Sequence, residues 1–128
     1  MLATVDAAEA IRGLTEMSPQ VRQVVLLGGD GTLLGTNAPR SAADRLAQAA
    51  AALLREADAL RAEPVAQLEA ATAAGSVFVV RDGGRTIAAT TSPEPTVGLV
   101  FYDLKTCLRS VDHGAGEPSA EETPDAAA

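Results

Sequence analysis

The stretch VRQVVLLGGDGTLLGT, residues 21–36, decides the fold class of this 128-residue chain. It contains two apolar runs joined by Asp30-Gly31. This dipeptide between apolar runs is the strongest short signal for a β-hairpin, because both central residues of a type I′ turn need a positive φ. Side chains alternate between the two faces of a strand, and here both faces are mostly apolar. Such a hairpin needs cover on both sides, and we expect helices to supply it.

The predicted turn also fixes which side chains share a face of the hairpin, because the side-chain period of a strand is two. One face is expected to carry two facing pairs, Leu27 with Leu34 and Val25 with Thr36. The other face is expected to carry Val24, Leu26 and Leu33, with Gly35 leaving room. The register of this hairpin is therefore a direct test of the predicted turn.

The charge distribution separates a domain from a tail. Residues 1–111 carry 12 acids and 10 bases, whereas residues 112–128 carry five acids and no base. The absence of a basic footprint argues against nucleic-acid binding, and no apolar run is long enough for a membrane span. A single cysteine and an N-terminus without basic residues give no sign of export, so we expect a cytoplasmic protein. We predict one domain over residues 1–111 and an acidic disordered tail over residues 112–128.

The other elements follow from periodicity and capping signals. Asp6 and Glu9 have capping-box spacing before a helical stripe of Ala8, Ile11, Leu14 and Met17. The chain after the hairpin predicts, in order, a helix over 42–60 capped by Ser41, strands over 65–72, 76–81 and 86–91, and a helix over 97–111. The resulting order, α-β-β-α-β-β-β-α, predicts an α/β (α+β) sandwich. Its five-stranded antiparallel sheet has helices on both faces.

The outward face of the second predicted helix consists mostly of alanine. Because alanine is the best helix former and the composition is alanine-rich, this face has a simple compositional explanation. Small side chains would also allow another helix to approach closely, and the sequence leaves these two interpretations open. The residues of this face are Gln48, Ala51, Ala52, Arg55 and Ala59, edged by Arg45, Ala49 and Glu56.

The motif GGDGT, residues 28–32, resembles the nucleotide-handling loop of NAD kinases and diacylglycerol kinases. Glycine-rich loops bind phosphate because exposed N–H groups and a following helix N-terminus attract anions. Here Gly35 and Pro39 stand where that helix should start. The resemblance covers five residues, and we attribute it to turn chemistry.

Other chemical motifs give no support to catalysis. A P-loop is absent, so nucleotide binding of that type is not expected. His113, the single histidine, lies at the edge of the tail, and Cys107 lies on the last helix as a small hydrophobe. No cluster of histidines, cysteines or carboxylates has metal-ligand spacing. We therefore predict no catalytic residue, no metal site and no cofactor.

The order of elements resembles the Roadblock family, the dynein light-chain type domain, over roughly residues 6–111. The matching stretches are VVLLGGDGTLL, SAADRLAQAAAALLREADAL, SVFVVRDGGRTIAATT and TVGLVFYDLKTCLRSV. The resemblance implies a Roadblock/profilin-like α/β/α sandwich that forms homodimers or heterodimers. In such dimers the third strands pair across the two-fold axis and the second helices lie side by side. Bacterial members act with small Ras-like GTPases without carrying Walker motifs themselves.

On this resemblance we expect two functional surfaces. The dimer interface is expected to include Ala49, Ala51, Ala52, Ala59, Ala66, Leu68 and Ala70. The surface that faces a GTPase is expected to include Arg45, Gln48, Ala52 and Arg55. Arg45 or Arg55 could act in trans as an arginine finger, or both could be ordinary solvated side chains.

The function predicted is a non-enzymatic homodimeric platform that binds and regulates a small Ras-like GTPase. An adaptor or scaffold that recruits a non-GTPase signalling partner is the alternative from another class. A third interpretation, a nucleotide-binding kinase fragment, rests on GGDGT. It requires Asp30 to take part in nucleotide binding, whereas a turn aspartate affects only stability.

Overall fold

The computed structural model describes residues 6–111, so the predicted disorder of the acidic tail lies outside the described residues. The elements are α1 (Ala7–Met17), β1 (Val21–Leu27), β2 (Leu33–Thr36), α2 (Arg40–Asp58), β3 (Gln67–Thr72), β4 (Gly75–Asp82), β5 (Arg85–Thr91) and α3 (Val97–Ser110). This order confirms the predicted fold class.

The five strands form one antiparallel sheet in the order β2-β1-β5-β4-β3. Two apolar clusters cover its two faces. The first cluster joins α1 and α3 to one face, and Phe78 lies within it in an edge-to-face contact with Phe101, with ring centroids 4.9 Å apart. The second joins α2 to the other face through Val25, Val79 and Ala88. Helix cover on both faces is the arrangement that the two-sided apolar hairpin predicts.

Helix α1 begins as its capping signal predicts, since the Asp6 carboxylate accepts a hydrogen bond of 2.8 Å from the Glu9 N–H. Its buried face differs from the predicted stripe. Ala8 is exposed and Met17 is 68% exposed. The apolar i, i+3, i+4, i+7 pattern starts at Ala7 instead and continues through Ala10, Ile11 and Leu14.

The β1–β2 turn is longer than predicted. The Gly31 N–H donates to the Gly28 carbonyl at 3.0 Å, and the Gly28 N–H donates to the Thr32 carbonyl at 2.9 Å. Gly31 has a φ of +85° while Asp30 has no positive φ, so this is not a type I′ turn. A bulge at the end of β1 pairs Leu27 with Leu33.

This bulge exchanges the faces of two leucines. Leu33, expected with Val24 and Leu26, packs in the α2 cluster, and Leu34 is 40% exposed instead of facing Leu27. The loop has one residue more than the predicted turn, so the strand pairing between the loop and the bulge is shifted by one residue. A shift of one residue moves each side chain to the opposite face of the sheet. The predicted pair Val25–Thr36 lies beyond the bulge and is present.

Helix α2 starts two residues before the predicted position. Pro39 is its N-cap without a side-chain hydrogen bond, and the Pro39 carbonyl accepts the first helical bond from the Ala43 N–H at 2.9 Å. Proline suits the start of a helix because it has a fixed φ and no N–H to satisfy. The prediction of Ser41 as the cap is therefore wrong, and Leu60, predicted inside the helix, lies beyond its end and is 81% exposed.

Strand β3 confirms the prediction of a strand over residues 65–72. Its composition favours a helix, but six residues from Gln67 to Thr72 pair with β4. Ladder hydrogen bonds and half-buried side chains here override weak local propensities. Within residues 6–111, β3 has β4 as its single neighbour, and its other edge is open.

Candidate interaction surface

A groove opens at the end of the sheet where both hairpin turns meet the C-terminal half of α2. Its volume is about 510 Å³, and we call it the turn groove. It is lined by Leu27, Gly28, Gly29, Gly31, Ala51, Leu54, Arg55, Asp58, Arg81, Gly84 and Thr86. Glycine backbone and apolar side chains therefore form much of its wall, and its charged groups come from α2 and β4.

The glycines of GGDGT have a structural role in this groove. A Cβ on Gly29 would lie 3.0 Å from the Gly84 carbonyl oxygen, which is closer than an ordinary van der Waals contact, so glycine lets the two hairpin turns touch without displacement. The Asp30 carboxylate accepts a hydrogen bond of 3.0 Å from the Thr32 N–H, which holds the pKa of Asp30 below its usual value. The motif leads into strand β2 and not into a helix. This geometry matches a turn and lacks the helix N-terminus of a phosphate loop.

An ion pair between Asp58 and Arg81 forms the floor of one end of the groove. The Arg81 guanidinium donates to both carboxylate oxygens of Asp58, at 3.1 and 2.8 Å, and also to the Val65 carbonyl at 2.6 Å. The Val65 N–H donates to the same carboxylate at 2.7 Å. Arg81 is the main cause that keeps the pKa of Asp58 below its usual value. These bonds join the end of α2, the segment before β3, and β4.

Sequence reasoning missed this cluster, because Asp58 resembles other surface acids in a helix. Its partner Arg81 lies 23 residues away and on another element. Strand pairing brings them together, and no local pattern marks the pair.

The predicted GTPase-facing residues lie on one exposed stripe of α2. Arg45, Gln48 and Arg55 are exposed and Ala52 is half-buried. Their spacing of three and four residues places them along one line of the helix. The buried residues Ala43, Leu46, Ala50 and Leu54 lie on the opposite side. Within residues 6–111, neither Arg45 nor Arg55 forms an ion pair.

The predicted dimer residues divide between two elements and two flanks of α2. Ala49, Ala51 and Ala59 are exposed. Ala49 and Ala51 lie about 200° apart around the helix axis, since each residue turns the helix by about 100°. Ala51 lines the turn groove, so Ala49 lies on the flank away from it. The structure therefore does not bring these two alanines to one flank.

The other predicted dimer residues lie on β3 next to the open sheet edge. Leu68 packs at the margin of the α2 cluster together with Val77 of β4. Ala66 and Ala70 share its face, because alternate residues of a strand point the same way, and Ala66 is exposed. We call Ala66, Leu68, Ala70 and Val77 the edge strip. Helix α2 packs mainly over β1 and β5, so the edge strip is only partly covered.

A buried cation stabilises the end of α3. The side chain of Arg85 is buried, and its guanidinium donates to the carbonyls of Leu108 at 3.3 Å and Val111 at 3.4 Å. These carbonyls belong to the last turn, which carries partial negative charge. Arg109 adds an exposed ion pair of 2.9 Å with Asp82. The end of α3 is thus fixed to the β4–β5 turn.

Residues that could carry chemistry are few in the described part of the chain. Burial raises the pKa of the Cys107 thiol to about 11, so this cysteine is protonated at neutral pH. Residues 6–111 contain no group of histidines, cysteines and carboxylates that could hold a metal ion. In the same residues, no helix has the length and apolarity to cross a bilayer.

Comparisons with known proteins identify the family. The Roadblock/LC7 domain model matches residues 7–92, and a search of curated proteins finds no match. A Roadblock/LC7 domain from Streptomyces avermitilis has a TM-score of 0.73 at 21% identity, with 83% of this chain and 94% of that chain covered. Myxococcus xanthus MglB has a TM-score of 0.64 at 17% identity, with 81% of this chain and 83% of that chain covered. The gliding protein MglB from Thermus thermophilus has a TM-score of 0.62 at 17% identity, with 86% of this chain and 92% of that chain covered. This chain belongs to the Roadblock/LC7 domain family.

Proposed function

We propose that this chain is a non-enzymatic homodimeric platform that binds a small Ras-like GTPase and regulates it. The observation that carries the proposal is the edge strip, a half-covered apolar surface beside an open strand edge. An open edge with apolar neighbours favours pairing with another strand, and a second copy provides an identical edge. Family membership and the MglB neighbours support a role of the GTPase-regulator type.

In the proposed dimer, β3 of each copy pairs with β3 of the other and the α2 helices lie side by side. The flank of α2 that carries Ala49 then faces the second copy, because Ala51 and the turn groove lie on the other flank. Small side chains at this contact allow the two helix backbones to approach closely. The part of the exposed stripe around Gln48 and Arg55 stays accessible and forms the surface for the GTPase. Arg45 lies at the border of this surface with the dimer contact, because it is one helical turn before Ala49.

Light scattering of the full chain over a dilution series tests the dimer. Ala66→Arg places a charge on the edge strip and should give a monomer. The matched control, Leu34→Arg, places the same charge at an exposed position on β2 at the opposite edge and should stay dimeric. Circular dichroism verifies that both variants fold. A monomeric parent chain, or a folded Ala66→Arg dimer, would rule out this interface.

Binding of a bacterial Ras-like GTPase tests the second half of the proposal. Arg55→Glu should weaken binding to the GTPase loaded with a GTP analogue. Arg12→Glu, the same charge change at an exposed site on α1, should have little effect. Binding that does not distinguish GTP from GDP would favour the adaptor. If Arg55→Ala or Arg45→Ala abolishes stimulated hydrolysis while binding persists, that arginine acts as an arginine finger.

A further inference from the structure

The turn groove lies on the flank of α2 away from the proposed dimer contact, so the proposed function leaves it open. One wall is formed by the backbone of Gly28, Gly29 and Gly84. The N–H groups of Gly29 and Gly84 donate no hydrogen bond within residues 6–111. Arg55 lies at the groove without an ion pair in those residues, while Arg81 is neutralised by Asp58. The groove thus presents unused donors and one uncompensated cation.

The chain leaves the described domain close to this groove. Arg85 holds the carbonyls of Leu108 and Val111, and Arg85 directly follows the turn residue Gly84, which lines the groove. The end of α3 and the groove are therefore on opposite faces of the same end of the sheet. Between them lies the turn Gly83-Gly84, which has no side chains to obstruct a passing chain.

The segment that follows Val111 is long enough to reach the groove. Passing around the sheet end from one helix layer to the other covers roughly 20 Å, because packed layers are about 10 Å apart. An extended chain spans about 3.3 Å per residue, so roughly six residues suffice. Residues 112–128 number 17, and Gly114 and Gly116 lie in the part that would cross the turn. The acids Glu117, Glu121 and Glu122 come after that crossing.

We propose that the segment 117–125 of this chain docks in its own turn groove. Its carboxylates pair with Arg55 and accept hydrogen bonds from the glycine N–H groups. Residues 112–128 carry five acids and no base, which complements the donors of the groove. Because Arg55 also belongs to the surface proposed for the GTPase, the docked segment competes with that partner. This consequence rests on the proposed function, whereas the docking itself does not.

Paramagnetic relaxation in the full chain, without any GTPase, tests the docking. A nitroxide is attached through Ala120→Cys in a Cys107→Ala background, and the amide signals are observed in dilute, ¹⁵N-labelled protein. We expect strong broadening of the Gly29 and Gly84 signals and none at Gly13 on α1, which packs on the other sheet face. Equal broadening at all three glycines, or none, would overturn the proposal. The same broadening of Gly29 and Gly84 in ¹⁵N-labelled protein without a nitroxide, mixed with spin-labelled ¹⁴N protein, would also overturn it, since the segment would then dock in the groove of another copy.

Charge variants distinguish docking in the groove from broadening that arises only because the labelled segment is attached near Gly84. Arg55→Gln should reduce the broadening at Gly84 to the level at Gly13, and so should Glu117→Gln combined with Glu121→Gln and Glu122→Gln. Arg12→Gln is the matched control and should leave the broadening unchanged. If the broadening at Gly84 is unchanged both in Arg55→Gln and in the triple glutamate variant, the proposal is overturned. A loss of GTPase binding has no bearing on this result, so the two proposals fail independently.

Discussion

The carboxylate of Asp58 at the end of α2 accepts two hydrogen bonds from Arg81 of β4, at 3.1 and 2.8 Å, and a third from the Val65 N–H. This pair fixes the segment that leads into the edge strand β3. A bidentate pair that also binds backbone holds both elements in one relative position. The position of the open sheet edge therefore depends on a contact outside that edge.

The Asp58–Arg81 pair should make stability depend on pH in the acid range. The pKa of Asp58 is lower in the folded state than the ordinary 3.8, so its stabilisation is complete above that value. It is lost as the pH falls through the folded-state pKa. Asp58→Asn should therefore unfold at lower denaturant concentration at neutral pH, and its difference from the parent chain should shrink below pH 3.8.

Asp44→Asn is the control for this measurement, because it breaks the exposed pair Arg40–Asp44 and should change stability little. Denaturant titrations of the three proteins at several pH values provide the comparison. A difference between the parent chain and Asp58→Asn that stays constant with pH would contradict the assigned pair.

Gly75→Ala should destabilise the domain strongly. Gly75 has a φ of +144°, and an added Cβ would collide with the Thr91 carbonyl of β5. We expect a loss of about 2 kcal/mol or more in the free energy of unfolding. Gly83→Ala is the comparison, since its φ of +63° is strained but its surroundings are open, and it should cost about 1 kcal/mol. Equal losses of stability for Gly75→Ala and Gly83→Ala in thermal denaturation would contradict the prediction, because the structure would then relieve the collision at residue 75.

Gly13→Ala should stabilise the domain. Gly13 lies inside α1, and an added Cβ would meet nothing within 4 Å. Alanine restricts the unfolded chain and favours the helix, so we expect a gain of about 0.5–1 kcal/mol. Urea unfolding measures this gain, and a midpoint below that of the parent chain would contradict it.

Phe78→Ala should remove a central part of the core. Phe78 is completely buried and contacts Phe101 edge to face. Truncation of a buried phenylalanine costs about 3–5 kcal/mol through lost burial and the cavity that remains. Leu60→Ala, at a site 81% exposed, should change the free energy of unfolding by about 0.5 kcal/mol or less. Comparable losses for Phe78→Ala and Leu60→Ala in denaturant titrations would contradict the exposed position of Leu60.

The Cys107 thiol should be protected in the folded state. Burial raises its pKa to about 11 from 9.0, so at pH 8 a thiol reagent should react slowly until denaturant exposes the side chain. At pH values between these two pKa values, the Cys107 thiol has lost its proton in the unfolded state but keeps it in the folded state. The stabilising contribution of the thiol therefore decreases as the pH rises above 9.0. Rapid labelling of the native protein would contradict this burial.

Local features of the sequence determined most of the elements. The Asp6 cap and the strand over residues 76–81 depend on neighbours a few residues away and are present as predicted, and the turn Gly83-Gly84 has positive φ angles that glycine favours. Capping hydrogen bonds and positive φ angles are local properties, so a short window contains their cause. The order of these elements also determined the sheet with helices on both faces.

Only the tertiary structure decided the features that depend on distant partners. Strand β3 forms because β4 pairs with a sequence that by itself favours a helix. The bulge after Leu26 exchanges Leu33 and Leu34 between faces, and Asp58 finds Arg81 through strand pairing. The turn groove exists because two separate hairpin turns meet at Gly29 and Gly84. Each of these outcomes depends on the free energy of contacts between distant segments, which local propensity does not contain.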